Sequence, residues 1–122
     1  KWLNFPPFIP PEIASTGEPL LHHLISLQTF AGSWVYNSSL LKSLRLDETV
    51  VKSSIYTGVN ETAFATALVI TVFEERLGEF KGSWELVVEK AKAFLESEVG
   101  GTDRAEEIIA RAKYVLGIGG LS

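Results

Sequence analysis

Between residues 60 and 116 the apolar positions fall into three helical patterns separated by glycines. Ala63 to Phe73 is apolar almost all round for 11 residues. That marks a central helix covered on most sides, predicted over Glu61 to Leu77 and ended by Gly78. In the next pattern Trp84, Val87, Val88, Ala91, Phe94 and Leu95 recur at i, i+3, i+4 and i+7. Glu85, Glu89, Lys92 and Glu96 take the watery face, giving a helix from Ser83 to about Ser97. Gly100-Gly101 breaks the chain, and Thr102 or Asp103 caps a last helix to Leu116. Its inward stripe is Ala105, Ile108, Ile109 and Ala112, and Gly117 to Ser122 reads as a frayed tail.

The first half is punctuated more densely. Pro19 suits the first position of a helix, with Ser15-x-x-Glu18 just upstream. That helix runs to about Gln28 and buries Leu20, Leu24 and Leu27 on one face. Gly32 then permits a tight reversal, and Trp34 is predicted to return its indole onto the helix just left. Phe30 to Asn37 is therefore a turn plus a short extended piece. Ser38 to Arg45 reads as a short helix with Leu40, Leu41 and Leu44 inward. Asp47 to Asn60 mixes β-favouring Val50, Val51, Ile55 and Val59 with a helix-opening Asp47-Glu48. It is read as a short helix followed by a loop through Gly58. Asn37 and Asn60 both head glycosylation sequons, yet both precede helical patterns, where Asn is a favoured N-cap. The tripeptide Gly-Ser-Trp occurs at Gly32 and at Gly82, but the flanks differ and no repeat is assigned. The predicted fold is all-α, a compact bundle of about five or six helices.

All five prolines lie in the first 19 residues, interleaved with Trp2, Phe5 and Phe8. Residues 1–18 are accordingly a Pro- and aromatic-rich arm, 19–117 the helical domain and 118–122 a flexible tail. Phe5 to Pro11 should be extended and polyproline-like. Pro7-Phe8-Ile9-Pro10 fits the loose P-x-x-P pattern read by aromatic grooves, although three aromatics in eleven residues more often pin an arm to its own domain. The chain starts at Lys1 with no signal-peptide pattern, so a domain of a longer protein is expected ahead of a processed product.

Composition narrows the function more than it names it. The net charge is −4 and the 11 Lys and Arg residues are scattered. A nucleic-acid or anionic-membrane surface needs clustered cations, so neither partner is expected. No apolar run approaches the roughly 20 residues of a membrane span. The absence of cysteine removes disulfides, thiolate chemistry and Cys-based zinc sites, and favours a cytoplasmic setting.

Catalytic groups do not assemble either. His22 and His23 are the two histidines and, as helical neighbours, project about 100° apart. Glu18 precedes His22 by four residues, but two ligands fall short of a catalytic zinc site. No serine sits in a Gly-x-Ser-x-Gly elbow. The pairs Glu74-Glu75 and Glu106-Glu107 diverge on their helices and read as solvated faces. Gly117-Ile118-Gly119-Gly120 follows a helix, the wrong context for a dinucleotide loop. No cofactor, metal or enzymatic activity is expected. The residues left for binding are Trp2, Phe5, Phe8, Phe30 and Tyr36, with Gly32, Trp34 and Trp84 as structural supports.

Leu24-Ile25-Ser26-Leu27-Gln28-x-x-x-Gly32-x-Trp34, then Ala65-Thr66-Ala67-Leu68 and Trp84-Glu85-Leu86-Val87-x-x-Lys90-Ala91, together resemble one family. It is the C-terminal domain of proteins that carry a vault/inter-α-trypsin (VIT) domain followed by a von Willebrand factor A domain. The pattern is similar to the major-vault-protein-interacting C-terminal region of the vault poly(ADP-ribose) polymerase, and the resemblance spans about residues 20 to 116. It implies a non-catalytic adaptor whose partner is major vault protein, a vault-like assembly or another domain of the parent chain. An arm that docked on a second copy would make a homodimer. The alternative from another class is a helical carrier of an apolar small ligand, which needs an enclosed apolar cavity.

Overall fold

The computed structural model describes residues 17–55 and 59–119, and within them the chain is helical, with six α-helices and one 3₁₀ turn. In order these are α1 (Gly17–Leu27), α2 (Ser38–Ser43), α3 (Glu48–Ser54), α4 (Glu61–Arg76), the 3₁₀ turn Gly78–Phe80, α5 (Lys81–Val99) and α6 (Thr102–Gly119). The arm residues Trp2, Phe5 and Phe8 lie outside the described residues.

Helix α4 is the axis of the bundle. Every residue from Ala63 to Phe73 is buried, as a run apolar on almost every side requires. Its two interior threonines satisfy their hydroxyls within the helix, Thr66 on the Thr62 carbonyl at 2.8 Å and Thr71 on the Ala67 carbonyl at 2.9 Å. Helices α5 and α6 pack on α4 and on each other, α3 leans on α6, and α1 crosses to α5. Phe73 sits between two tryptophans, its ring 6.1 Å from Trp34 and 5.8 Å from Trp84, stacked on the latter. The Trp84 indole N–H donates to the Leu77 carbonyl at 2.6 Å, which clamps the start of α5 to the end of α4.

Helix boundaries differ from the sequence reading where capping decides them. Helix α1 is assigned from Gly17, whose φ of +60° is not helical, so Pro19 falls in the first turn, where a missing N–H costs nothing. Leu20, Leu21 and Leu24 form its buried stripe, while Leu27, expected inside, is 42% exposed. Helix α5 starts at Lys81, two residues before the expected Ser83, because the 3₁₀ turn feeds directly into it. Of its expected stripe, Val87 and Phe94 are only half-buried. Helix α6 runs to Gly119, past the expected end at Leu116, with Val115 and Leu116 buried as well.

Both sequon asparagines are N-caps. Asn37 Oδ1 accepts from the Leu40 N–H at 2.8 Å and Asn60 Oδ1 from the Ala63 N–H at 2.6 Å. Asn60 also donates from Nδ2 to Glu98 on α5 at 2.6 Å. An Asn60→Ala chain is therefore expected to lose about 1 kcal/mol, the usual worth of such a cap, and to melt a few degrees lower. Asn60→Ser, which keeps a neutral acceptor and sets no second carboxylate against Glu98, should recover most of that loss in the same thermal scan.

Candidate interaction surface at the turn after the first helix

Helix α1 stops at Leu27, and the side chain of the next residue holds the turn that follows. Gln28 Nε2 donates to the Gly32 carbonyl at 3.2 Å and to the Val87 carbonyl on α5 at 3.1 Å, so both amide protons are spent on tying the turn to the bundle. Thr29 and Ser33 close the loop. The Thr29 N–H donates to the Ser33 carbonyl at 2.9 Å, the Ser33 N–H to the Thr29 hydroxyl at 3.2 Å, and the two hydroxyls are 2.7 Å apart. Gly32 has φ +100° and presses on α5, where an added Cβ would lie 2.9 Å from the Lys90 carbonyl oxygen.

Trp34 then enters the core as the pattern predicts. It is fully buried, its indole N–H donates to the Leu24 carbonyl on α1 at 2.8 Å, and its backbone N–H donates to the Thr66 hydroxyl at 3.2 Å. The turn is thus anchored to α1, α4 and α5 at once. Its tip is left facing outward.

Phe30 occupies that tip and is 96% exposed. The Lys90 amine on α5 lies 5.4 Å from the ring centroid, a cation–π contact typically worth about 0.5–1 kcal/mol at an exposed site. Leu86, one turn before Lys90 on α5, is 77% exposed, and Leu27 borders the turn on the α1 side. Three exposed apolar side chains therefore sit on the segments that meet at this junction. Exposed large apolar groups gathered on one part of a surface commonly mark an interaction site.

Tyr36 is placed differently. Its ring is half-buried against the core, and its hydroxyl is buried with no hydrogen-bond partner. Burial first, then the Glu48 and Glu61 carboxylates, push the phenol above its ordinary range. Phe30 has α5 for a neighbour and Tyr36 the acidic starts of α3 and α4, so the structure does not bring these two candidates together. Trp84 lies in the core and Gly32 against α5.

Gln28, Thr66, Leu86 and Lys90 escaped the sequence reading as parts of this site. Leu86 left one signal, an apolar residue among the solvent-facing positions of its helix. Gln28 and Thr66 left none, because their partners are 59 and 32 residues away.

The remaining charged candidates are solvated. His22 Nε2 is 3.6 Å from Glu18, with both side chains mostly exposed. Glu74 pairs with Lys92 at 2.9 Å and Glu75 with Lys113 at 3.2 Å, surface contacts of less than about 1 kcal/mol each. Among the described residues no group of three or more His, Asp or Glu is placed to hold a metal ion, and no helix is long and apolar enough to cross a membrane. The cleft between α5 and α6, about 310 Å³, combines Ile109 and small alanines with Lys92, Glu96, Glu106 and Lys113 and opens to solvent. No family model matches the chain, and neither a curated protein nor a solved structure matches it.

Proposed function

We propose that this chain is a non-catalytic, cytoplasmic protein-interaction domain that docks a partner through the Phe30 turn. The observation that carries this reading is an aromatic ring 96% exposed at the tip of a turn fixed by hydrogen bonds to three helices. A large apolar side chain gains nothing for folding from such a position, and a pre-organised aromatic loses little entropy on binding. The family resemblance supplies the partner, major vault protein or a vault-like assembly, with another domain of the parent chain as the competing partner. The arm aromatics Trp2, Phe5 and Phe8 would add contacts or join two copies into a homodimer. No observation favours the small-ligand carrier, since the α5–α6 cleft is open and edged by charges.

Purified major vault protein is the probe. The domain is expected to retain it in a pull-down, and Phe30→Ala to weaken binding at least about tenfold, or 1.4 kcal/mol. Because the fold would lose little beyond the cation–π contact with Lys90, the melting temperature of that variant should fall by no more than a few degrees. Deleting residues 1–11 should lower affinity if the arm contributes contacts, raise it if the arm covers the site, and change the mass in light scattering if it bridges copies. Equal retention by the parent and Phe30→Ala would remove the turn from the interface, and no retention would remove this partner.

A further inference from the structure

A second feature lies at the C-terminal end of α2, where three of the chain's cations come together. Helix α2 ends in a turn in which the Arg45 N–H donates to the Lys42 carbonyl at 3.0 Å and the Leu46 N–H to the Leu41 carbonyl at 2.9 Å. Leu41 and Leu46 are buried, as the apolar contact of this motif requires. The motif needs a left-handed residue, and Arg45 supplies it with φ +60°, the one non-glycine with positive φ among the described residues. At the end of α5 the same chain uses Gly100, with φ +89°, for the equivalent bend. A left-handed L-residue costs roughly 1–2 kcal/mol. An arginine is therefore held where glycine would be more stable, and the difference between them is the guanidinium.

That guanidinium has company. Arg76, at the end of α4, is half-buried and donates from Nη1 to the Leu44 carbonyl at 3.2 Å, so its charged group is fixed beside residue 45. Lys42 precedes Arg45 by three residues on the exposed side of α2. None of the three makes an ion pair among the described residues, although the chain carries a net charge of −4. Burial, followed by the neighbouring Arg45 charge, pulls the Arg76 guanidinium below its ordinary value, as two unneutralised cations require.

We propose that Lys42, Arg45 and Arg76 form a docking site for an acidic peptide segment of a partner protein. Guanidinium groups pair bidentately with carboxylates, and three cations spread over two helix ends suit charges spaced along an extended peptide. Guanidinium groups bind phosphate as well, and what separates the two ligands is the set of free backbone N–H groups that commonly helps to cradle a phosphate. Here the N–H groups of Leu44, Arg45 and Leu46 are all spent on the Leu40, Lys42 and Leu41 carbonyls. The site is independent of the Phe30 turn.

The test is fluorescence anisotropy with a labelled Glu-rich peptide and its Glu→Gln counterpart. The Glu peptide is expected to bind, more weakly as salt rises, and the Gln peptide not to bind. Arg45→Gly should weaken binding at least about tenfold while melting at or above the parent temperature. Arg76→Lys should weaken it as well, since lysine lacks the bidentate fork. Phe30→Ala should leave it unchanged, which separates this site from the one proposed above. Equal binding of the Glu and Gln peptides, unaltered affinity in Arg45→Gly, or a phosphopeptide that binds where the Glu peptide does not would each overturn the assignment.

Discussion

Replacing Trp34 with alanine is expected to lower the melting temperature by about 10–20 °C, the largest effect of any single truncation in this fold. The indole is fully buried between α1 and Phe73. Truncating a buried Trp typically costs about 3–5 kcal/mol, and in a domain of this size each kcal/mol is worth several degrees. Two further losses add to the missing volume. The Leu24 carbonyl loses the donor that now reaches it at 2.8 Å, and α1 loses its link to the turn. Trp34→Phe should cost less, because it keeps an aromatic ring in the pocket while removing the donor and part of the indole's volume. Its cost should exceed about 1–3 kcal/mol, the usual penalty for a buried acceptor left unpaired, and stay below that of Trp34→Ala. A Trp34→Ala chain that melts within a degree or two of the parent would show that the turn does not staple α1 to the core.

This staple was legible in the sequence, and the reason is local. An apolar run, a glycine and a tryptophan within two residues of it can do little except reverse the chain and bury the ring. The central helix was legible for a similar reason, since eleven residues with only two threonines among them leave no face for water. What surrounds the staple was not legible. Gln28 looks like any polar helix end until α5 arrives with the Val87 carbonyl, and Thr66 looks like a tolerated polar residue until the Trp34 N–H meets it. Such pairings depend on how helices cross, which periodicity along one helix does not encode. Leu27 shows the same limit from the other side. Its spacing places it on the buried stripe, but the helix ends there and Gln28 draws the chain away towards α5. Arg45 is a further case, because the sequence reading ran this helix from Ser38 to Arg45, whereas it stops at Ser43 and Arg45 takes the left-handed backbone just beyond.

Gly32 joins the structural and functional arguments, so its substitution tests both. At φ +100° an L-residue is strained, at a cost of about 1–3 kcal/mol. The added methyl would also sit 2.9 Å from the Lys90 carbonyl and 3.0 Å from Lys90 Cγ. The side-chain atom can swing away, but the carbonyl belongs to the middle of α5 and cannot, so the turn itself must lift, at about 1–3 kcal/mol more. Gly32→Ala is expected to melt about 10 °C or more below the parent. Its second consequence is functional. Lifting the turn stretches the Gln28 bond to Val87 and carries Phe30 away from Lys90, so partner affinity should fall even at temperatures where the chain is fully folded. Adding Lys90→Ala removes the flexible contact and leaves the carbonyl, so the double variant should regain little of the lost stability. Gly32→Ala with parental melting temperature and parental affinity would mean that α5 yields to the turn, and the rigid presentation of Phe30 would have to be abandoned.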